Sequence, residues 1–109
     1  MTDEEDAQNM MMEMQQLQQQ LQQVTVQKEE TESEMQGIAK SLKELEDESD
    51  QEVYKSVGEI LVKKDRDQLV EDLEDEHEKL ESREESLSKK EERLQEKMQE
   101  TQQKFGEMR

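Results

Sequence analysis

Enzyme chemistry needs nucleophiles, tuned acids and bases, or metal ligands, and this chain offers few of them. It holds one histidine, His77, and no cysteine, against 32 acidic residues. Without cysteine there is no disulfide or thiolate chemistry, which suits a reducing compartment. His77 has no second His or Cys to complete a zinc site or a general-base pair, and it reads as solvated helix surface. The segment "DESDQE" (Asp47–Glu52) lacks the glycine and the terminal Glu spacing of a calcium-binding loop. No glycine-rich phosphate loop or nucleophile constellation is present, so neither an enzyme nor a cofactor is expected. What remains is contact chemistry. Met10, Met11, Met12 and Met14 crowd the stretch "NMMMEM", and Met98, Phe105 and Met108 stand near the other end of the chain. Methionine's flexible, polarisable side chain suits surfaces that must fit many partners.

The rest of the composition says what must carry these residues. The chain has a formal net charge of −17, 43% charged and 28% hydrophobic residues, no Trp or Pro, one Tyr (Tyr54) and one Phe (Phe105). Such a chain cannot enclose a large compact core. Its charge repels nucleic acid and anionic membranes, so neither is an expected partner. No apolar run approaches the ~20 residues of a membrane span. The acidic start "MTDEEDAQN" lacks the basic flank and apolar stretch of a signal peptide. The reading is a soluble cytoplasmic protein, and the acidity would suit a high-salt cytoplasm, where screening relieves self-repulsion.

Periodicity supplies the scaffold. Met10, Met14, Leu17, Leu21, Val24, Lys28, Thr31, Met35, Ile38, Leu42 and Leu45 alternate steps of four and three, a heptad seam that predicts a helix over 9–47. A second series, Leu73, Leu80, Leu87, Leu94, Thr101 and Met108, predicts a helix over 66–108. Asp65 caps it, and Gln68 stands three residues later in a capping-box arrangement. The second seam's companion positions are read as Leu69, Glu76, Arg83, Lys90, Lys97 and Lys104, mostly charged; His77, Met98 and Phe105 then fall off the seam. A leucine-zipper DNA-binding role is not supported, because "VKKDRDQ" upstream of the leucines is no basic region. The run "EDLEDEHEKLESREE" (Glu71–Glu85) reads as an exposed acidic face.

The fold expected is mainly α, a long antiparallel two-helix coiled coil with a β-hairpin between the helices, in one domain over 1–109. Aligning Leu45 with Leu73 gives layers Ile38–Leu80, Thr31–Leu87, Val24–Leu94, Leu17–Thr101 and Met10–Met108. Alternate layers become Leu42–Glu76, Met35–Arg83, Lys28–Lys90, Leu21–Lys97 and Met14–Lys104. Lys28–Lys90 is the weakest of them, and a shift of one heptad is the competing register. Between the helices, "VYKSVGEILVKKD" is rich in β-branched residues around Gly58. A type II′ turn at Gly58-Glu59 would face Val57 with Ile60, Ser56 with Leu61 and Lys55 with Val62, giving a hairpin over 53–63. The competing reading is an apolar loop capping the coil. A lone hairpin is marginal in water and exposes strand edges. Strands from several subunits would resolve this by closing a shared sheet or barrel.

These residues carry a resemblance. "VYKSVGEILVKKD" resembles the central segment of prefoldin β-type subunits, in Val53, Tyr54, Lys55, Val57, Gly58, Leu61, Val62 and Lys63, and the flanking helix lengths agree. The resemblance implies an ATP-independent holdase that builds hexamers of two α-type and four β-type subunits. In such hexamers the hairpins form a double β-barrel platform. The coiled-coil tips grip non-native client proteins and pass them to a group II chaperonin. A single hairpin favours the β type over the α type, and the acidity would fit a haloarchaeal source. On this basis the client-binding tip comprises Met10, Met11, Met12, Met14, Leu17, Met98, Phe105 and Met108. The oligomerisation hairpin comprises Val53, Tyr54, Val57, Gly58, Ile60, Leu61 and Val62. A structural scaffold or spacer without client binding is the alternative function.

Overall fold

The computed structural model describes residues 3–47 and 52–108. The order is α1 (Asp3–Asp47), β1 (Val53–Val57), β2 (Ile60–Lys64) and α2 (Arg66–Glu107). Glu48–Gln51, the centre of the expected polar break, lies outside the described residues. Helix α1 begins at Asp3, six residues before the first predicted position. The apolar pattern has not started there, but Asp3, Glu4, Glu5 and Asp6 fill the first turn. Carboxylates in that turn favour a helix start by opposing the helix dipole.

The chain packs as two compact units. One comprises the residues up to Glu30 together with those from Glu84 onward. Its core is Leu17, Val24, Leu87 and Leu94, with Leu21 and Met98 packed against them. Lys28 Nζ meets Glu91 Oε1 at 3.5 Å, and Thr25 Oγ1 donates to Glu91 Oε2 at 3.3 Å. Residues early in α1 thus meet residues late in α2, as an antiparallel pair requires. Thr101 is buried, and its hydroxyl donates to the Lys97 carbonyl at 2.9 Å, so the polar seam position is satisfied within its own helix.

The second unit spans Thr31–Arg83 and contains the hairpin. The strands pair antiparallel with Val57↔Ile60, Ser56↔Leu61 and Lys55↔Val62, the predicted register, extended by Tyr54↔Lys63 and Val53↔Lys64. Gly58 has φ of 60°, and no other described residue has positive φ. A positive φ at the first turn position alone is the II′ pattern; a type I′ turn would need it at Glu59 as well. Asp65 caps α2 as expected, accepting from the Gln68 backbone N–H at 3.1 Å. The Gln68 side chain does not close a capping box; its amide donates instead to Asp72 Oδ1 at 2.9 Å. The last turn of α1 holds no basic residue of its own. Arg66 supplies one from the start of α2, donating through Nε (3.0 Å) and Nη2 to the Leu45 carbonyl. Carbonyls of a final turn lack helical partners, so a guanidinium there satisfies both hydrogen bonding and dipole.

One part of the expected packing is corrected. On α2, Leu80, Leu87, Leu94 and Thr101 are buried as predicted, but Glu76, Arg83, Lys90, Lys97 and Lys104 are all exposed. Their place in the seam is taken by His77, Glu84, Glu91, Met98 and Phe105, which are half-buried. The true seam is therefore Leu73, His77, Leu80, Glu84, Leu87, Glu91, Leu94, Met98, Thr101, Phe105 and Met108, with the same four-three alternation as α1. All five alternate layers thus lose their α2 members: the exposed Glu76, Arg83, Lys90, Lys97 and Lys104 do not face Leu42, Met35, Lys28, Leu21 and Met14. Where Lys28–Lys90 would have set like charges together, Lys28–Glu91 sets opposite ones. His77 is correspondingly not free surface; its side chain is 28% exposed, and Nδ1 lies 2.9 Å from Glu81 Oε1. At Met98 and Phe105 the reason is plain: thioether and phenyl groups gain by partial burial, whereas Lys97 and Lys104 would lose hydration there. At Glu91 the carboxylate meets Lys28.

Candidate functional site

Two apolar surfaces stand out, one in each unit. In the unit formed by both ends of the chain, Met11, Met14 and Gln15 of α1 face Gln102, Phe105 and Gly106 of α2 across an open groove of about 560 Å³. Met11 and Met12 are 59% and 60% exposed. Met10, Met14, Met98, Phe105 and Met108 are half-buried, and Leu17 is buried. The expected cluster is therefore divided. Leu17 belongs to the core, and Met98 packs against that core. Met14 and Phe105 are seam residues that also wall the groove, and Met11 and Met12 lie outside the seam. Met98 and Phe105 are corrected from off-seam to seam residues. Their spacing already carried the signal, since Leu94, Met98, Thr101, Phe105 and Met108 alternate four and three. Gln15 and Gln102, which the apolar pattern passes over, complete the groove walls with neutral amides.

The second surface is the hairpin. Tyr54, Val57, Ile60 and Leu61 are exposed, Leu61 by 70%, while Val53 and Val62 are half-buried. Alternation places Val57 and its partner Ile60 on one face of the two-stranded sheet and Leu61 on the other. Neither face is covered by the chain itself to the depth of a core. At the foot of the hairpin, Glu52 accepts from Tyr54 Oη at 2.8 Å and from Lys63 Nζ at 3.1 Å. These two hydrogen bonds, the tyrosine's first, hold the Glu52 carboxyl below the usual carboxylate range. The arrangement pins the start of β1 to β2 across the ladder. Beneath the strands, Leu45, Val53, Tyr54, Leu69 and Leu73 line a further groove of about 390 Å³.

Among the described residues no group of His, Asp or Glu is arranged to hold a metal ion, and no helix is long and apolar enough to cross a membrane. The chemistry on offer is apolar contact. Two helices seamed by heptads, joined by one exposed hairpin, define a class of chain, and residues 8–108 match the prefoldin subunit family model. This chain belongs to that family, which is one of chaperone components rather than enzymes. Its likeness lies with the β type. It is 41% identical over 72 residues to prefoldin subunit beta of Archaeoglobus fulgidus, a match covering 65% of this chain and 62% of that relative. It superposes on the crystal structure of the prefoldin beta subunit from Thermococcus strain KS-1 with a TM-score of 0.83 and 36% identity. That superposition covers 92% of this chain and 89% of the other.

Proposed function

We propose that the chain is a β-type subunit of a cytoplasmic, hetero-oligomeric holdase that binds non-native proteins without ATP. In this reading the whole of 1–109 works as one domain. Four copies join two α-type subunits through their hairpins in a shared β-barrel platform, and clients pass from the assembly to a group II chaperonin. The observation that supports it most is the groove with exposed methionines beside it. Met11 and Met12 hold no place in the helix seam, yet they stay in water next to an apolar cleft. Exposed apolar groups of that kind mark binding surfaces, and thioethers adapt to varied shapes.

The test replaces Met11→Ser and Met12→Ser together in the assembled protein. These two positions are chosen because Met98 packs against the core, where truncation would also unfold the coil. Suppression of the aggregation of a denatured client should fall several-fold while helicity and assembly mass hold. Full protection by the variant would overturn the client-binding reading.

A further inference from the structure

The groove lies beside an acidic stretch of α1. Between Asp3 and Leu17 stand five carboxylates, Asp3, Glu4, Glu5, Asp6 and Glu13, and no basic residue. With 3.6 residues per turn, Glu4 falls on the same helical line as Met11, seven residues on, and Asp3 on the line of Met10. Both are exposed. The groove's opposite wall is uncharged: Gln102, Phe105 and Gly106 line it, and Gln95 and Gln99 continue the same face of α2. The groove is thus lined by apolar groups and neutral amides, and the negative charge along its α1 side lies towards the start of that helix.

We infer that the preferred occupant is a client segment with apolar anchors flanked by Lys or Arg; this rests on the client-binding reading above. The anchors take the place of water over Met11, Met14 and Phe105. A cation beyond them reaches the Asp3 and Glu4 carboxylates. Gln15 and Gln102 serve the peptide backbone equally for any sequence, because an amide both donates and accepts. A second copy of the same surface is a poor occupant, since it would bring two sets of these carboxylates together. A segment flanked by Asp or Glu meets the same repulsion. Discrimination therefore comes from charge and affinity from apolar contact, so the two separate experimentally.

The experiment titrates the full chain into three labelled peptides with an identical apolar centre, flanked by Lys, by Gln or by Glu, and reads fluorescence anisotropy. At low ionic strength the Lys-flanked peptide should bind about tenfold tighter than the Glu-flanked one, as expected of one or two carboxylate contacts in water. At ~1 M salt, where the screening length is ~3 Å, the ratio should collapse. Asp3→Asn with Glu4→Gln should shrink it to within about twofold at low salt, with circular dichroism confirming an intact helix. Equal binding of the three peptides, or a ratio unmoved by Asp3→Asn with Glu4→Gln, overturns the inference and leaves the client-binding reading standing. No binding of any peptide, or binding untouched by Met11→Ser with Met12→Ser, overturns both. Peptide binding lost as the chain's sedimentation mass doubles would assign the groove to a second copy and overturn the inference.

Discussion

The hairpin and the methionine groove expose apolar surface to a similar degree, yet they are built from opposite kinds of residue. Val57, Ile60 and Leu61 are branched aliphatics on strands whose backbone is fixed by a five-pair ladder. They hold a fixed relief, and ordering an Ile or Leu costs only ~0.5–1 kcal/mol of side-chain entropy. Met11 and Met12 sit on a helix with three rotatable bonds each, and ordering a Met costs up to ~2 kcal/mol. A rigid surface meets one matching partner well. A mobile one meets many partners at lower affinity each. Under the proposed function, the contrast would suit the hairpin to permanent assembly and the groove to transient clients.

That contrast is open to attack from both sides. The largest effect is expected from Val57→Asp with Ile60→Asp, which puts paired carboxylates on one face of the sheet. Sedimentation should show the assembly reduced to free subunits, and an intact oligomer would remove the distinction between the two surfaces. Met11→Ser with Met12→Ser should do the reverse, sparing mass and lowering client protection several-fold. A smaller effect belongs to the coil that carries the groove. Glu91→Lys removes the Lys28 and Thr25 partners and sets Lys against Lys, costing about 1 kcal/mol in urea unfolding. Pairing it with Lys28→Glu should restore most of that loss, as a double-mutant cycle would register.

The smallest effect is at the foot of the hairpin. Tyr54 and Lys63 hold the Glu52 carboxyl below its ordinary range. The folded form therefore binds a proton less readily than the unfolded form does. The stabilisation is present above the ordinary carboxylate range and is lost as pH falls through the lowered value. Protection of the hairpin amides, corrected for the intrinsic pH dependence of exchange, should fall on acidification, and Glu52→Gln should flatten that response. An unaltered pH profile in Glu52→Gln would show that the contact contributes nothing.

Much of this was legible in the residues. The unbroken four-three alternation from Met10 to Leu45 left little choice for α1, and Gly58 within a β-branched run set both the turn and the register. The second seam was half-legible for a physical reason. Leu73, Leu80, Leu87 and Leu94 define one line of contact, but a heptad leaves two candidate companion lines. On one of them stand Arg83, Lys90 and Lys97, and on the other Glu84, Glu91 and Met98, so polarity alone did not separate the two. The fold takes the second line, which half-buries Met98 and Phe105 and sets Glu91 against Lys28. Arg66 was not legible, because its target is a backbone carbonyl, and Leu45 reads like any other Leu until the helix end is placed.

Gly58 carries a consequence about handedness. Among the described residues it alone lies at positive φ, and a methyl built there would meet nothing within 4 Å. The cost of an ordinary alanine at this position would therefore come from backbone chirality and not from crowding. A d-amino acid has the mirror preference, and it would be at ease where its l counterpart is strained. The turn that joins the two halves of this chain has its sense held open by an achiral residue. Chemical synthesis could fix that sense with one inverted centre.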